Sequence, residues 1–277
     1  MATALSDNSF VRNGQLYIKP TLTSKALSNP QQIFDGGNYT LQGCTTAQTN
    51  ASACSASSSD QTGATIPPVM SARLTTRGSH SIRFGKVEVV AKLPRGDWLW
   101  PAIWMAPLNS VYGPWPLSGE IDVRPDICLT VACQDTDITQ IMEARGNAPS
   151  YPGQGINFVR STLNWGPFPQ VIARLYGWQS LKQTNYAKGF HTYTLEWTEN
   201  FIKMYVDSRL KNMVELQVNS KQQSNGGFFW KRGNFPLTTH NNTADEIVVS
   251  NPWTTATAKN ATNAAPFDQG TSPHLAY

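Results

Sequence analysis

Between Lys86 and Leu93 every second residue is turned to one side. Val87, Val89, Ala91 and Leu93 share one face of an extended chain, and Lys86, Glu88, Val90 and Lys92 share the other. Successive side chains of a strand point to opposite faces, so this alternation specifies a strand with one face buried. The pattern returns where Tyr193, Leu195 and Trp197 alternate with Thr194, Glu196 and Thr198. After a polar turn at Glu199-Asn200, Ile202, Met204 and Val206 alternate with Lys203, Tyr205 and Asp207. These two runs predict a hairpin with one apolar face. Further strands are expected at Leu16–Pro20, Val69–Thr75, Ile156–Leu163 and Ile247–Ser250, while long amphipathic helical patterns are absent. Many short strands punctuated by Gly and Pro predict an all-β sandwich. A chain of 277 residues with 40% hydrophobic content suffices for one sizeable core, so a single domain over residues 1–277 is expected. The polar stretch Thr46–Gly63 reads as a loop within it.

Several function classes drop out. The net charge of +4 is modest and the Lys and Arg residues are scattered, so no basic stripe suits a nucleic acid. No apolar run is long enough to cross a membrane. The start, MATALSDNSF, lacks the cationic and apolar segments of a secretory leader. Sequons at Asn38, Asn50, Asn241 and Asn260 nevertheless favour a secreted ancestry. Cys44 and Cys54 would close a short loop if oxidised, the alternative being two free thiols; Cys128 and Cys133 carry no functional signal. No spacing of Cys and His suits a metal, and no cofactor is expected.

Chemistry concentrates between Asp97 and Glu120. Trp98, Trp100, Trp104 and Trp115 crowd into this stretch, and indole faces stack on the apolar faces of sugar rings. Trp104 lies in an apolar run and is expected to pack the core. Trp115, five residues before a carboxylate cluster, is expected to line a sugar subsite. Glu120 and Asp122 are two apart on a predicted strand, so both side chains point to one face. If Val123–Gln140 is set aside, the chain reads S-G-E-I-D-I-M-E-A-R-G-N.

With that reconstruction, VMSARLTTRG, FGKVEVVAKLPRGDWLWPAIWM, GEIDIME and FHTYTLEWTENFIKMYVD together resemble glycoside hydrolase family 16, in its β-1,3-glucanase branch. The resemblance covers nearly the whole chain. It implies a concanavalin A-like β-jelly-roll sandwich with a sugar cleft on its concave face. It also implies a retaining hydrolase of β-1,3-glucan, with Glu120 as nucleophile, Glu143 as acid/base and Asp122 tuning the nucleophile. Such a mechanism needs two carboxyls roughly 5–5.5 Å apart. Trp100, Trp115, Asn164 and Trp165 are the substrate-binding residues it implies, Asn164 standing where the family usually has His. His191 is expected to anchor a strand, and Arg73 and Glu88 fit structural ion pairing and substrate contact equally well. A polysaccharide is the implied partner, and a monomer the expected state.

Three departures stand out. Val123–Gln140 interrupts the motif and reads as a retained intron, since Val-Arg can be encoded from GTGAGA and the last Gln can end in CAG. The family pattern implies further strands beyond both ends of this chain. A glucan-binding protein without catalysis, or an inactive fragment of the enzyme, is the alternative these departures leave open.

Overall fold

The computed structural model describes residues 5–41, 54–97, 99–119, 141–151, 154–218, 227–240, 245–254, 266–268 and 271–276. The chain divides into two compact units: residues 1–74 with 276–277, and residues 75–275.

The first unit is built of short pairings. Strands β1 (Ser9–Arg12) and β2 (Gln15–Ile18) form a hairpin across Asn13-Gly14. Both turn residues have positive φ (52° and 73°), which a two-residue hairpin loop requires and Asn-Gly tolerates. Strand β3 (Thr21–Leu22) pairs with β6 (Val69–Met70), and β4 (Asn38–Thr40) with β5 (Ser55–Ser57). Strand β5 thus lies inside the stretch read from sequence as a loop. The expected strand Val69–Thr75 is broken into β6 and β7 (Arg73–Thr75), the latter spanning the boundary between the units. Cys54 is buried and disulfide-bonded; Cys44 lies outside the described residues.

The second unit is a sandwich. One layer runs β15 (Asn212–Gln217), β14 (Phe201–Val206), β13 (His191–Trp197) and β8 (Gly85–Ala91) in antiparallel order. The register pairs Leu195 with Val87 and with Met204, so the alternating apolar residues meet on one face as the sequence predicts. The other layer contains, in order, β12 (Val171–Ser180), β11 (Phe158–Phe168), β10 (Met142–Ala144), β9 (Ala102–Pro107) and β18 (Thr271–Ala276). Between the layers Ile103, Met142, Leu163 and Trp165 pack with Tyr193, Leu195, Trp197 and Met204, all buried. The short helix α1 (Gly227–Gly233) adds Phe229 to this core, and a small hairpin pairs β16 (Thr238–His240) with β17 (Glu246–Val248).

The anchoring role expected of His191 is visible. His191 Nδ1 lies 2.8 Å from Asp207 Oδ2, while Asp207 Oδ1 accepts from the Thr192 amide at 2.9 Å, tying β13 to the end of β14. Glu88 pairs with Lys86 at 2.7 Å on the outer face.

Candidate functional site

Strand β10 is short, and its alternation decides what each residue does. Met142 and Ala144 enter the core, so Glu143 between them faces the opposite side of the sheet. It pairs with Ala102 on β9 and Arg160 on β11, and Arg160 in turn pairs with Trp178 on β12. Ala102, Glu143, Arg160 and Trp178 therefore form one row across four strands. Thr162 with Tyr176, and Asn164 with Arg174, form the next two rows on that face.

Glu143 is only 3% exposed, and both its oxygens are occupied. Arg160 donates to Oε1 from Nε at 3.2 Å and from Nη2 at 2.9 Å. The indole Nε1–H of Trp100 donates to Oε2 at 2.7 Å. Guanidinium and indole nitrogens only donate, so both carboxyl oxygens act here as acceptors. Burial pushes the Glu143 carboxyl above its ordinary range; the charge of Arg160, the hydrogen bonds from Trp100 and Arg160, and the charge of Arg145 pull it back without cancelling the rise. A carboxyl that keeps its proton to higher pH suits a general acid.

The other expected site residues are placed as follows. Trp100, about one-third exposed, joins the site through its bond to Glu143. Asn164 lies on the same face of β11 as Arg160 and is buried. Trp115 is half-buried in the loop before Gly119, at a cis peptide to Pro116. Trp165 corrects its assignment as a sugar contact. It falls on the alternate, core-facing side of β11 and is 1% exposed. Its Nε1–H donates to the Phe229 carbonyl at 2.9 Å, and its ring packs edge-on against Phe229 and Phe267. Trp104 is buried as expected, but with Ala102 and Ala106 in a cluster separate from the main core. Glu120 and Asp122 lie outside the described residues.

Sequence reasoning missed Arg160, Tyr176 and Trp178. Their signal was the register: once β11 and β12 are paired, these residues fall beside Glu143. Among the described residues, no three His, Cys, Asp or Glu side chains are grouped to hold a metal ion. No helix among them is long and apolar enough to cross a membrane.

Comparison with known proteins defines the class. A solved structure of a non-specific endo-β-1,3(4)-glucanase from family GH16 superposes with a TM-score of 0.53 at 18% identity, covering 99% of this chain and 65% of that one. The fold is the all-β jelly-roll sandwich expected from sequence. Residues 172–264 match the model for glycosyl hydrolases family 16. The chain is 34% identical over 267 residues to a β-1,3-glucan-binding protein of Penaeus monodon, an alignment covering 94% of this chain and 60% of that protein. It is also 34% identical over 147 residues to glucan endo-1,3-β-glucosidase A1 of Niallia circulans, covering 53% of this chain and 18% of that protein. The chain is thus similar to glycosyl hydrolases family 16, with residues 172–264 carrying the match to the family model. It spans 60% of the length of the first of these relatives and less of the second.

Proposed function

We propose that the protein is a secreted, monomeric endo-acting hydrolase that cleaves β-1,3-glucan with retention through Glu120 and Glu143. The observation that carries this reading is Glu143: a buried carboxyl on the sheet face turned away from the core, its pKa raised by burial and its oxygens gripped by Arg160 and Trp100. In the first step Glu143 gives its proton to the glycosidic oxygen while the Glu120 carboxylate attacks the anomeric carbon, breaking the C–O bond and forming a glycosyl ester. In the second, Glu143 takes a proton from water, which attacks that carbon and releases Glu120. Asp122 tunes the nucleophile. Trp100, Trp115 and Asn164 contact the sugar.

The chain is anchored on both sides of residues 120–140. Pro116 accepts from the Gly166 amide at 3.3 Å at the far part of β11, and the Ile141 amide donates to the Ile103 carbonyl on β9. Exposure of Asn38 at the start of β4 supports glycosylation outside the cell.

A second reading, glucan binding without turnover, draws on the Penaeus monodon relative, named a β-1,3-glucan-binding protein and aligned over 94% of this chain. One experiment separates the two: reducing-end release from laminarin by the chain, by Glu143→Gln and by Glu120→Gln, alongside laminarin binding by each. Turnover lost in both variants with binding kept supports the hydrolase. Binding without turnover in the unaltered chain supports the second reading.

A further inference from the structure

A pair of large aromatic side chains standing together in water is informative, and the face of β12 turned away from the core presents such a pair. Tyr176 is 61% exposed and Trp178 is 57% exposed. Their direction is imposed by the strand. The residue between them, Gly177, packs against the opposite layer so closely that a Cβ would lie 1.5 Å from the Met213 carbonyl oxygen. Leu175 on that same side packs against the core. Alternation then forces Tyr176 and Trp178 to the other face, the one that carries Glu143.

Both rings are held from the neighbouring strand β11. Phe158 stacks on Trp178 with centroids 5.1 Å apart and planes inclined by 22°, while the indole stays largely exposed. The guanidinium carbon of Arg160 lies 6.0 Å from the Tyr176 ring centroid, within range of a cation–π contact. Arg160 is also the residue that grips Glu143, so carboxyl, guanidinium and phenol are linked by consecutive contacts. Along β12 the two aromatic residues are roughly 6.7 Å apart, and across the sheet Trp178 lies two strand spacings, roughly 10 Å, from Glu143. A short run of linked sugar rings covers both intervals.

We propose that Tyr176 and Trp178 form a sugar-binding shelf that holds a β-glucan chain to one side of Glu143. The proposal rests on the glucan reading of the site and names residues which that reading does not use. The occupant is a pyranose chain: the shelf offers flat apolar faces flanked by the cationic donors Arg160 and Arg174, which suits rings with apolar faces and hydroxyl edges. Ring stacking on preorganised aromatics gives affinity at low entropic cost, and it should matter only for chains long enough to reach β12.

The test titrates the full chain, Tyr176→Ala, Trp178→Ala and Trp178→Phe with laminaribiose and laminarihexaose by calorimetry. Both rings are exposed, so the alanine variants should keep the unfolding midpoint of the parent. Trp178→Ala and Tyr176→Ala are each expected to weaken hexaose binding about tenfold, leave the biose nearly unchanged, and Trp178→Phe to recover most of the loss. Parent-like hexaose affinity in both alanine variants overturns the shelf while leaving the glucan reading intact. A parent chain that binds neither sugar overturns both. Loss of self-association in the variants with unchanged hexaose binding assigns the face to a second copy and also overturns the shelf.

Discussion

Arg160 places two N–H groups on a single oxygen of Glu143, at 3.2 and 2.9 Å, from the neighbouring strand of the same sheet. The pair sets burial against charge. Burial alone would raise the carboxyl further, and the guanidinium is the strongest opposing influence. Replacing Arg160 with Gln removes that opposition and raises the Glu143 pKa. The protonated acid then persists to higher pH. The alkaline limb of the kcat profile on laminarin should therefore move upward in Arg160→Gln; a downward shift would contradict the arrangement.

Trp100 holds the other oxygen through one indole N–H. Trp100→Phe keeps a ring and deletes the donor to a group that is charged for part of the cycle. A fall in kcat of about tenfold is expected, with a smaller change in KM, because the lost bond orients the carboxyl more than it holds the sugar. Steady-state kinetics on laminarin read the split directly. A change confined to KM would make Trp100 a sugar contact only.

Trp165 belongs to the core, so its removal should cost stability rather than recognition. Trp165→Ala opens a cavity among Phe229, Phe267 and their neighbours and should destabilise by about 3–5 kcal/mol. Trp165→Phe deprives the Phe229 carbonyl of its indole donor and should cost about 1–3 kcal/mol. Denaturant unfolding measures both. At temperatures where each variant is folded, laminarin affinity should match that of the parent.

Tyr186 and Tyr193 carry buried hydroxyls with no hydrogen-bond partner among the described residues, and their rings lie 6.4 Å apart. Burial, with the nearby Asp207 charge behind it, holds both phenols far above their ordinary range, and Tyr186 adds to the rise at Tyr193. A raised folded pKa means stability that is complete below the unfolded value, about 10, and lost as pH climbs beyond it. Ultraviolet titration should show these two phenolates appearing only as the protein unfolds in alkali. Tyr193→Phe should be neutral or stabilising by up to about 1 kcal/mol at neutral pH, since it removes an unsatisfied buried group.

The His191–Val206 hairpin and β8 could be read from the chain because each has one wet face, and alternation records it. Strand β11 could not be read that way. From Ser161 through Gly166 it is buried on both faces, so Asn164 and Trp165 show no contrast in sequence although they point to opposite sides. Trp165 was misassigned for that reason. Tyr176 and Trp178 fail in the reverse sense, since aromatic residues on a strand suggest a core and here face water. Glu143 was found because its motif survives in pieces. Its partner Arg160 was not, because a pairing between strands leaves no trace in the spacing of either one.

Gly177 touches no sugar in any of these readings, yet the shelf depends on it. Its missing side chain lets an edge strand lie flush on the Met213 backbone, and that seam keeps its two flanking rings turned outward. A methyl group added there would wedge the layers apart and roll the rings off their axis. Such a variant would score as a recognition defect in a screen while the actual fault sat at the joint between the two sheets.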